Sequence, residues 1–215
     1  MSCSSHCCGA EKIFDEKGVR KALKKYSKKG PDNFSQQLID ALKKEDINQL
    51  SMLDIGGGIG ILQHELLKEH LSHTTDVDSS EAYITGAKTL MVENGTQDKM
   101  NFIHGDFNEH IDKIDKHDIV TLSRVVCCYP DIDKLINNSI NKANKYYGLV
   151  YPADNIIIKM GIGLMNLSLY LRKNPFRTFV HSVDKMNDLI ASHGFERVYL
   201  GNAFMWRIAL YKKVD

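Results

Sequence analysis

A run of glycines beside an acidic residue is the feature of this 215-residue chain that most clearly points to chemistry. The segment Leu53–Gly60 reads Leu-Asp-Ile-Gly-Gly-Gly-Ile-Gly, and its single charge is Asp54. Glycines let the backbone turn tightly and let a ligand approach without a Cβ in the way. A helix that follows offers unpaired N–H groups and a positive dipole end to an anionic group. The segment therefore predicts a ligand-binding loop between a strand and a helix.

The spacing of these glycines excludes two common nucleotide sites. A nucleoside triphosphate loop needs Gly-Lys-Ser/Thr, but two apolar residues follow Gly60. A dinucleotide fingerprint, Gly-x-Gly-x-x-Gly, would place its last glycine at Ile61 or Gln63. What remains is Asp54 followed by Gly-x-Gly-x-Gly from Gly56 onwards.

Short apolar runs alternate with helical periodicity from Ser51 to the C-terminus. The predicted strands are Ser51–Ile55, His73–Val77, Asn101–His104, Asp118–Leu122, Gly148–Tyr151, Phe195–Leu200 and Ala203–Tyr211. Strands alternating with helices form a parallel sheet covered on both faces. Only Gly201 and Asn202 separate the last two strands, which must therefore be antiparallel. The sequence predicts an α/β fold with a mostly parallel seven-stranded sheet and an antiparallel C-terminal strand pair.

The length and composition fit one globular domain. The first fifty residues are polar and helical in pattern, so we predict an N-terminal helical extension over 1–50, acting as a cap, and a main domain over 51–215. No apolar stretch reaches the ~20 residues that a membrane-spanning helix needs. The formal net charge of +1 gives no electrostatic reason to expect a nucleic acid partner.

The cysteines indicate the compartment. There are five of them, an odd number, and four form two adjacent pairs that are poorly placed for disulfides within each pair. We therefore expect a reducing, cytoplasmic environment.

The glycine loop and the strand ends that follow it resemble the motifs of class I S-adenosylmethionine (SAM)-dependent methyltransferases, which have a Rossmann-like fold. Asp54 and the glycines resemble motif I. The resemblance implies that Asp78, after the second strand, holds the ribose hydroxyls. It implies that Asp106 accepts from the adenine amine while Phe107 packs on the ring. The residues that the resemblance assigns to the cofactor are Asp54, Gly56, Gly57, Gly58, Gly60, Asp78, Ser79, Asp106, Phe107 and Ser123.

Two further segments, Ser123–Asp131 and Tyr147–Pro152, are similar to a subgroup of small microbial methyltransferases. That subgroup is related in this region to magnesium-protoporphyrin O-methyltransferases. The resemblance implies SAM as cofactor but leaves the acceptor open. The Asn/Asp-Pro-Pro-Tyr signature of enzymes that methylate amino groups of bases is absent, and Cys127-Cys128-Tyr129-Pro130 stands there instead. We therefore expect a small-molecule acceptor and no nucleic acid.

No residue is singled out as catalytic. In-line methyl transfer depends on holding the acceptor near the methyl group, and only a hydroxyl acceptor needs a base. The candidates that the topology brings to the reaction site are Arg124, Tyr129, Asp131, Asp154 and His181.

Thiolates favour zinc and other soft ions. The weak candidates for a metal or metalloid site are Cys3, Cys7, Cys8, Cys127 and Cys128, and the alternative is that they bind no metal. Two other functions stay open at this point. One is a regulatory module that binds SAM or S-adenosylhomocysteine (SAH) without catalysis, which predicts a pocket closed beyond the sulfonium. The other is a nicotinamide oxidoreductase, which the glycine spacing and the terminal strand pair disfavour.

Overall fold

A computed structural model describes residues 9–214 and contains a seven-stranded sheet in the order β3-β2-β1-β4-β5-β7-β6. The strands are β1 (Ser51–Ile55), β2 (His73–Asp78), β3 (Met100–His104), β4 (His117–Ser123), β5 (Ala143–Pro152), β6 (Phe195–Ala203) and β7 (Trp206–Lys213). β1 to β5 pair in parallel, whereas β7 is antiparallel to both β5 and β6. The predicted fold class and the antiparallel C-terminal pair are confirmed.

Helices connect these strands and precede them. They are α1 (Glu16–Lys29), α2 (Asn33–Lys43), α3 (Ile61–Leu67), α4 (Glu81–Glu93), α5 (Phe107–His110), α6 (Ile132–Ile140), α7 (Ile156–Leu171) and α8 (Val183–Ser192). Short polar side chains begin most of them by accepting from a free backbone N–H of the first turn, as Ser80 does for α4 and Asp131 for α6.

The core has one layer on each face of the sheet. On one face, α2 and α3 pack against β1, β5 and β7 through a buried cluster that includes Leu38, Leu42 and Ile208. On the other face, α6 and α8 cover the sheet through a second cluster that includes Leu135 and Ile190. Helices on both faces are therefore confirmed as well.

The N-terminal helices contact the rest of the fold directly. α2 places Leu38 and Leu42, both fully buried, against β5 and β7, and α1 packs on α4 through Val19. The division of the chain at residue 50 into cap and main domain stays a prediction. The packing shows that α2 belongs to the same hydrophobic core as the sheet.

The position of the C-terminal turn differs from the prediction. β6 runs on through Gly201 and Asn202, which pair with β7, and the chain reverses at Phe204 and Met205. A Cβ at Gly201 would collide with the Gln37 side chain, so this glycine serves a close approach inside a strand rather than a turn. β5 also begins five residues earlier than the predicted Gly148; its start includes the exposed Asn144 and Lys145, opposite a register shift in β4.

Candidate functional site

The glycine loop joins β1 to α3 in left-handed backbone. Gly56, Gly58 and Gly60 have φ of 65°, 64° and 77°, a region that side chains with a Cβ rarely adopt. The Gly56 N–H donates to the Val77 carbonyl oxygen (2.8 Å), which fixes the loop to the end of β2. A Cβ on Gly56 would collide with Val125, whereas the Cβ position of Gly58 meets no atom closer than 3.6 Å.

Three aspartates support this loop from below. Asp54 and Asp76 are fully buried, and Asp78 is 9% exposed. Asp54 accepts from Thr121 Oγ1 (2.6 Å), Asp76 Oδ1 from the Gly57 N–H (3.1 Å), and Asp78 Oδ2 from the Gly58 N–H (3.1 Å). The loop therefore rests on carboxyl groups that hydrogen-bond its backbone.

Burial changes the protonation of these groups. Desolvation raises the pKa of Asp54 to about 7, against the partial compensation of its hydrogen bonds. Desolvation, and then the nearby charges of Asp78 and Asp54, raise the pKa of Asp76 well above its usual range. Asp76 Oδ2 has no hydrogen-bond partner among the described residues, as expected of a carboxyl group that keeps its proton. The sequence analysis did not predict a role for Asp76. An aspartate in the middle of a predicted buried strand was the signal for it, and the structure pairs this residue with Asp54 of the neighbouring strand.

The loops after β2 and β3 form the next part of the same edge. Asp78 Oδ1 accepts from the Ser80 N–H (2.8 Å), and Ser80 donates from Oγ to the Phe14 carbonyl oxygen (2.7 Å). Asp106 caps the short helix α5, accepting from the Asn108 N–H (2.7 Å). The carboxyl groups of Asp78, the last residue of β2, and of Asp106, after β3, therefore have fixed orientations at the carboxyl edge of the sheet.

The segment after β4 contains one of two non-glycine residues with left-handed backbone among the described cavity-lining residues, the other being Lys173. Arg124 has φ of 65°, and its N–H donates to the Val150 carbonyl oxygen (2.9 Å). Its guanidinium lies 4.6 Å from the centre of the Phe34 ring, a cation–π contact with α2. Residues in sparsely populated backbone regions cluster at functional sites. Arg124 is therefore held at the site both by its backbone and by its side chain.

A cavity of about 880 Å³ opens above these loops. The predicted cofactor residues that line it are Gly56, Gly58, Asp78, Ser79, Asp106, Phe107 and Ser123. The other three predicted cofactor residues, Asp54, Gly57 and Gly60, lie beneath or behind the loop and do not line the cavity. The structure therefore brings seven of the ten predicted residues to one surface and places three in its support.

Some of the candidate catalytic residues line the cavity and others do not. Arg124 and Tyr129 line the cavity, but the other three do not. Asp131 caps α6, and Asp154 forms an ion pair with Lys159 (2.5 Å). His181 Nε2 lies 3.0 Å from the Tyr129 carbonyl oxygen, and burial lowers the pKa of His181. These three side chains have structural partners outside the cavity.

Two of the cysteines reach the cavity. Cys127 and Cys128 both line it, with their sulfur atoms 4.0 Å apart. Their shared hydrogen bond lowers the pKa of Cys127 and raises that of Cys128. Within residues 9–214, no three His, Cys, Asp or Glu side chains meet as a metal site would require. Cys3, Cys7 and Cys8, the remaining candidates for that site, lie outside the described residues.

The wall opposite the loops escaped the sequence analysis. Four N-terminal residues line the cavity, namely Ala10, Lys12, Ile13 and Phe14. The Phe14 ring packs edge-to-face on the rings of Tyr83 and Phe176 (both 6.0 Å between ring centres). The inner face of α7 supplies Ile162, Met165 and Leu169. The length and apolar composition of the segment predict the helix α7 itself, but hydrophobic periodicity does not show which face of a helix lines a cavity.

Known proteins agree with this geometry. Residues 17–122 match the family model of the methyltransferase small domain, from α1 to the end of β4. No curated protein matches the chain in sequence.

Solved structures show the same fold. Magnesium protoporphyrin IX methyltransferase from Synechocystis PCC 6803, with bound SAH, is 18% identical with a TM-score of 0.74, covering 97% of this chain and 100% of its own. An O-methyltransferase family 2 protein from Planctomyces limnophilus, in complex with apigenin, is 18% identical (TM-score 0.67; 93% and 62% covered). Human N-acetylserotonin methyltransferase, in complex with SAM, is 16% identical (TM-score 0.63; 93% and 56% covered).

Proposed function

We propose that the chain is a SAM-dependent methyltransferase and that it methylates a small, mainly apolar molecule held in the same cavity as the cofactor. The observation that carries the proposal is that the cavity continues past the predicted cofactor residues. Its far wall is formed by the apolar side chains of Ile162, Met165, Leu169, Phe176 and Trp206. A module that only senses SAM needs no such space, and its pocket would end at the sulfonium.

We call the part of the cavity lined by the loops after β1, β2 and β3 the cofactor half, and the part lined by α7 the acceptor half. The cofactor half fits SAM in its shape and its polar groups. The left-handed glycines present backbone without side chains, and Gly58 borders the cavity itself. In the proposed arrangement Asp78 accepts from the ribose hydroxyls, Asp106 accepts from the adenine amine, and Phe107 packs on the ring. When bound, SAM supplies a methyl group on a positively charged sulfur, ready for in-line attack.

The charges of the side chains that line the cavity favour an acceptor with an acidic group. Among the described lining residues, the only carboxylates are Asp78 and Asp106, which the proposal assigns to the cofactor. The cations at the cavity wall are Lys12, Arg124, Arg172 and Lys173. An acceptor that carries its own negative charge pairs with Arg124 and needs no protein base, because it is already nucleophilic.

Orientation then supplies most of the rate acceleration. Holding an acceptor in a near-attack geometry is worth roughly 7–11 kcal/mol. In this proposal Arg124, held in place by Phe34, and the Tyr129 side chain position the acceptor. The apolar wall excludes water from the transfer. A reducing, cytoplasmic setting is part of the proposal, since Cys127 is a free cysteine at the cavity.

Two leucines on α7 give a matched test of the acceptor half. Leu169 faces the cavity, whereas Leu167 is 54% exposed on the other side of the same helix. Leu169→Trp fills the acceptor half, so we expect the KM for an acceptor to rise about tenfold or more while the Kd for SAH stays unchanged. Leu167→Trp should leave both values as they are.

The measurements are calorimetric titration with SAH, with NADH in parallel, and methyl transfer from radiolabelled SAM to a panel of apolar carboxylic acids, phenols, thiols and RNA. Labelling of apolar acids or phenols, lost in Leu169→Trp alone, supports the proposal. Labelling of RNA alone, or equal KM values in both variants, would overturn it.

A further inference from the structure

Helix α7 is apolar on two opposite faces. One face lines the cavity and contains Ile162, which is 8% exposed. The outer face consists of residues that are between 54% and 75% exposed, namely Ile156, Ile157, Met160, Leu164, Leu167 and Leu171. We call these six residues the outer face of α7.

The outer face is a continuous stripe. At 100° per residue, its six side chains fall within about 100° of the helix circumference. Single exposed apolar side chains are common on protein surfaces, but a contiguous apolar patch marks an interaction surface. Nothing in the described part of the chain covers this stripe, since each of its residues remains more than half exposed.

The length of α7 excludes a crossing of the bilayer. Its 16 residues rise about 24 Å, whereas a spanning helix needs about 20 apolar residues. Among residues 9–214 no helix meets the length and hydropathy that a membrane crossing requires. A helix of this size with an exposed apolar stripe is suited to lie in the plane of a membrane surface.

The charge of the surrounding segment is of one sign. Residues 155–183 contain Lys159, Arg172, Lys173 and Arg177 and not one Asp or Glu, although the whole chain has a net charge of only +1. Lys159 pairs with Asp154 outside the segment. Cations beside an apolar helix face attract anionic lipid headgroups.

A second, shallow cavity of about 470 Å³ lies at the C-terminal end of α7 and continues this charge. Its walls include Tyr170, Leu171, Lys173 and Arg177. The Arg177 guanidinium lies 5.8 Å from the centre of the Tyr170 ring. Two cations and an aromatic ring thus adjoin the end of the apolar stripe, an arrangement that matches a phosphate headgroup next to its acyl chains.

The turn between β6 and β7 contains a further exposed apolar side chain. Phe204 at its tip is fully exposed, with φ of 55°. The Ala153 N–H donates to the Met205 carbonyl oxygen (2.8 Å), which places this turn beside the start of α7. An exposed aromatic side chain therefore lies near one end of the stripe and two cations near the other.

We infer that the outer face of α7, together with Phe204, docks on the surface of an anionic phospholipid bilayer, with Lys173 and Arg177 contacting the headgroups. A second copy of the chain fits this surface less well. A symmetric pair through α7 would bring the cations of both segments together with no carboxylate in either segment to pair them. The inference goes beyond methyl transfer and does not depend on the identity of the acceptor.

The test is flotation of the full, reduced chain with lipid vesicles. We compare phosphatidylcholine vesicles with and without phosphatidylglycerol, at low and high salt. We expect binding about tenfold tighter to the anionic vesicles and a clear loss at high salt, because headgroup attraction is screened. Absence of binding to anionic vesicles would overturn the inference.

Matched glutamate substitutions locate the binding surface. Leu164→Glu and Leu167→Glu change outer-face residues that do not line the cavity. Val92→Glu is the control, since Val92 is 60% exposed on α4. We expect each outer-face substitution to weaken vesicle binding about tenfold and the control to leave it unchanged, with the Kd for SAH constant in all three.

Two results would contradict the proposed occupant. Equal vesicle binding by wild type and both outer-face variants would place the membrane contact elsewhere. A dimer in sedimentation velocity without vesicles, dissociated by Leu164→Glu and accompanied by no vesicle binding, would assign the face to a second copy. The SAH titration separates both results from a failure of the proposed function, because it reports on the cofactor half alone.

Discussion

The loops after β1 to β4 keep their shape through backbone amides bonded to buried carboxyl groups, whereas the opposite wall of the cavity is formed mostly by apolar side chains. On the first side, Gly57 and Gly58 donate to Asp76 and Asp78. On the second side, α7 contributes a row of aliphatic residues. Directed hydrogen bonds fix one geometry, but apolar contact is non-directional and tolerates exchange of residues. The loop side of the cavity is therefore fixed in one geometry, and the apolar wall is the side that tolerates substitution.

The largest effect on cofactor binding is expected at Gly58, which lines the cavity with φ of 64°. Gly58→Val requires a strained backbone and occupies cofactor space, so we expect SAH affinity to fall by more than about 3 kcal/mol. Calorimetric titration measures this loss.

Gly95 provides the control, since it has φ of 65° with no atom near its Cβ position and lies outside the cavity. Gly95→Val should lower stability by a similar backbone strain and leave SAH affinity unchanged. Wild-type affinity in Gly58→Val would show that the loop does not bind the cofactor.

The buried carboxyl groups predict an effect of pH on stability. Asp54 and Asp76 hold protons in the folded state that the unfolded chain releases near pH 4, so their contribution is present below that pH and is lost as pH rises towards 7. Burial lowers the pKa of His64 to about 4, which acts in the same window with the opposite sign. The informative quantity is therefore the difference between wild type and Asp76→Asn.

Relative to wild type, Asp76→Asn should gain about 1–3 kcal/mol of unfolding free energy between pH 4.5 and pH 7.5, because it removes one buried acid whose ionisation the fold opposes. Chemical denaturation at both pH values measures this gain. Asp98→Asn, at an exposed position, should show no difference. A parallel pH dependence for wild type and Asp76→Asn would mean that Asp76 is ionised in the fold.

At Asp78 we expect a smaller loss of SAH affinity than at Gly58. Asp78→Ala removes a charged acceptor from the predicted ribose site, so SAH should bind more weakly by about 1–3 kcal/mol. Since Asp78 also accepts from the Gly58 and Ser80 amides, thermal unfolding must be recorded alongside the titration. Unchanged affinity would show that Asp78 does not bind the ribose hydroxyls, and Asp106→Ala would then be the next variant to titrate.

The order of strands and the strand-end motifs could be predicted because they depend on local rules. Glycine spacing, the alternation of strands with helices and the closeness of the last two strands are all short-range features. The misplaced turn at Gly201 shows the limit, because the side chains of Gln37, from α2, and of Tyr199 pack against that glycine, and only the folded structure brings Gln37 there. Asp76 was missed for a related reason, since its importance comes from burial next to Asp54.

The sequence by itself determined the glycine loop, the fold class and the strand ends that carry Asp78 and Asp106, because a glycine's backbone freedom and a strand-end carboxylate depend on their own positions in the chain. The tertiary structure decided which candidates reach the cavity, and Arg124 and Tyr129 do while His181 does not. It also decided that α7 has one apolar face on the cavity and one exposed. Burial depends on which distant segments pack together, and local spacing does not contain that information.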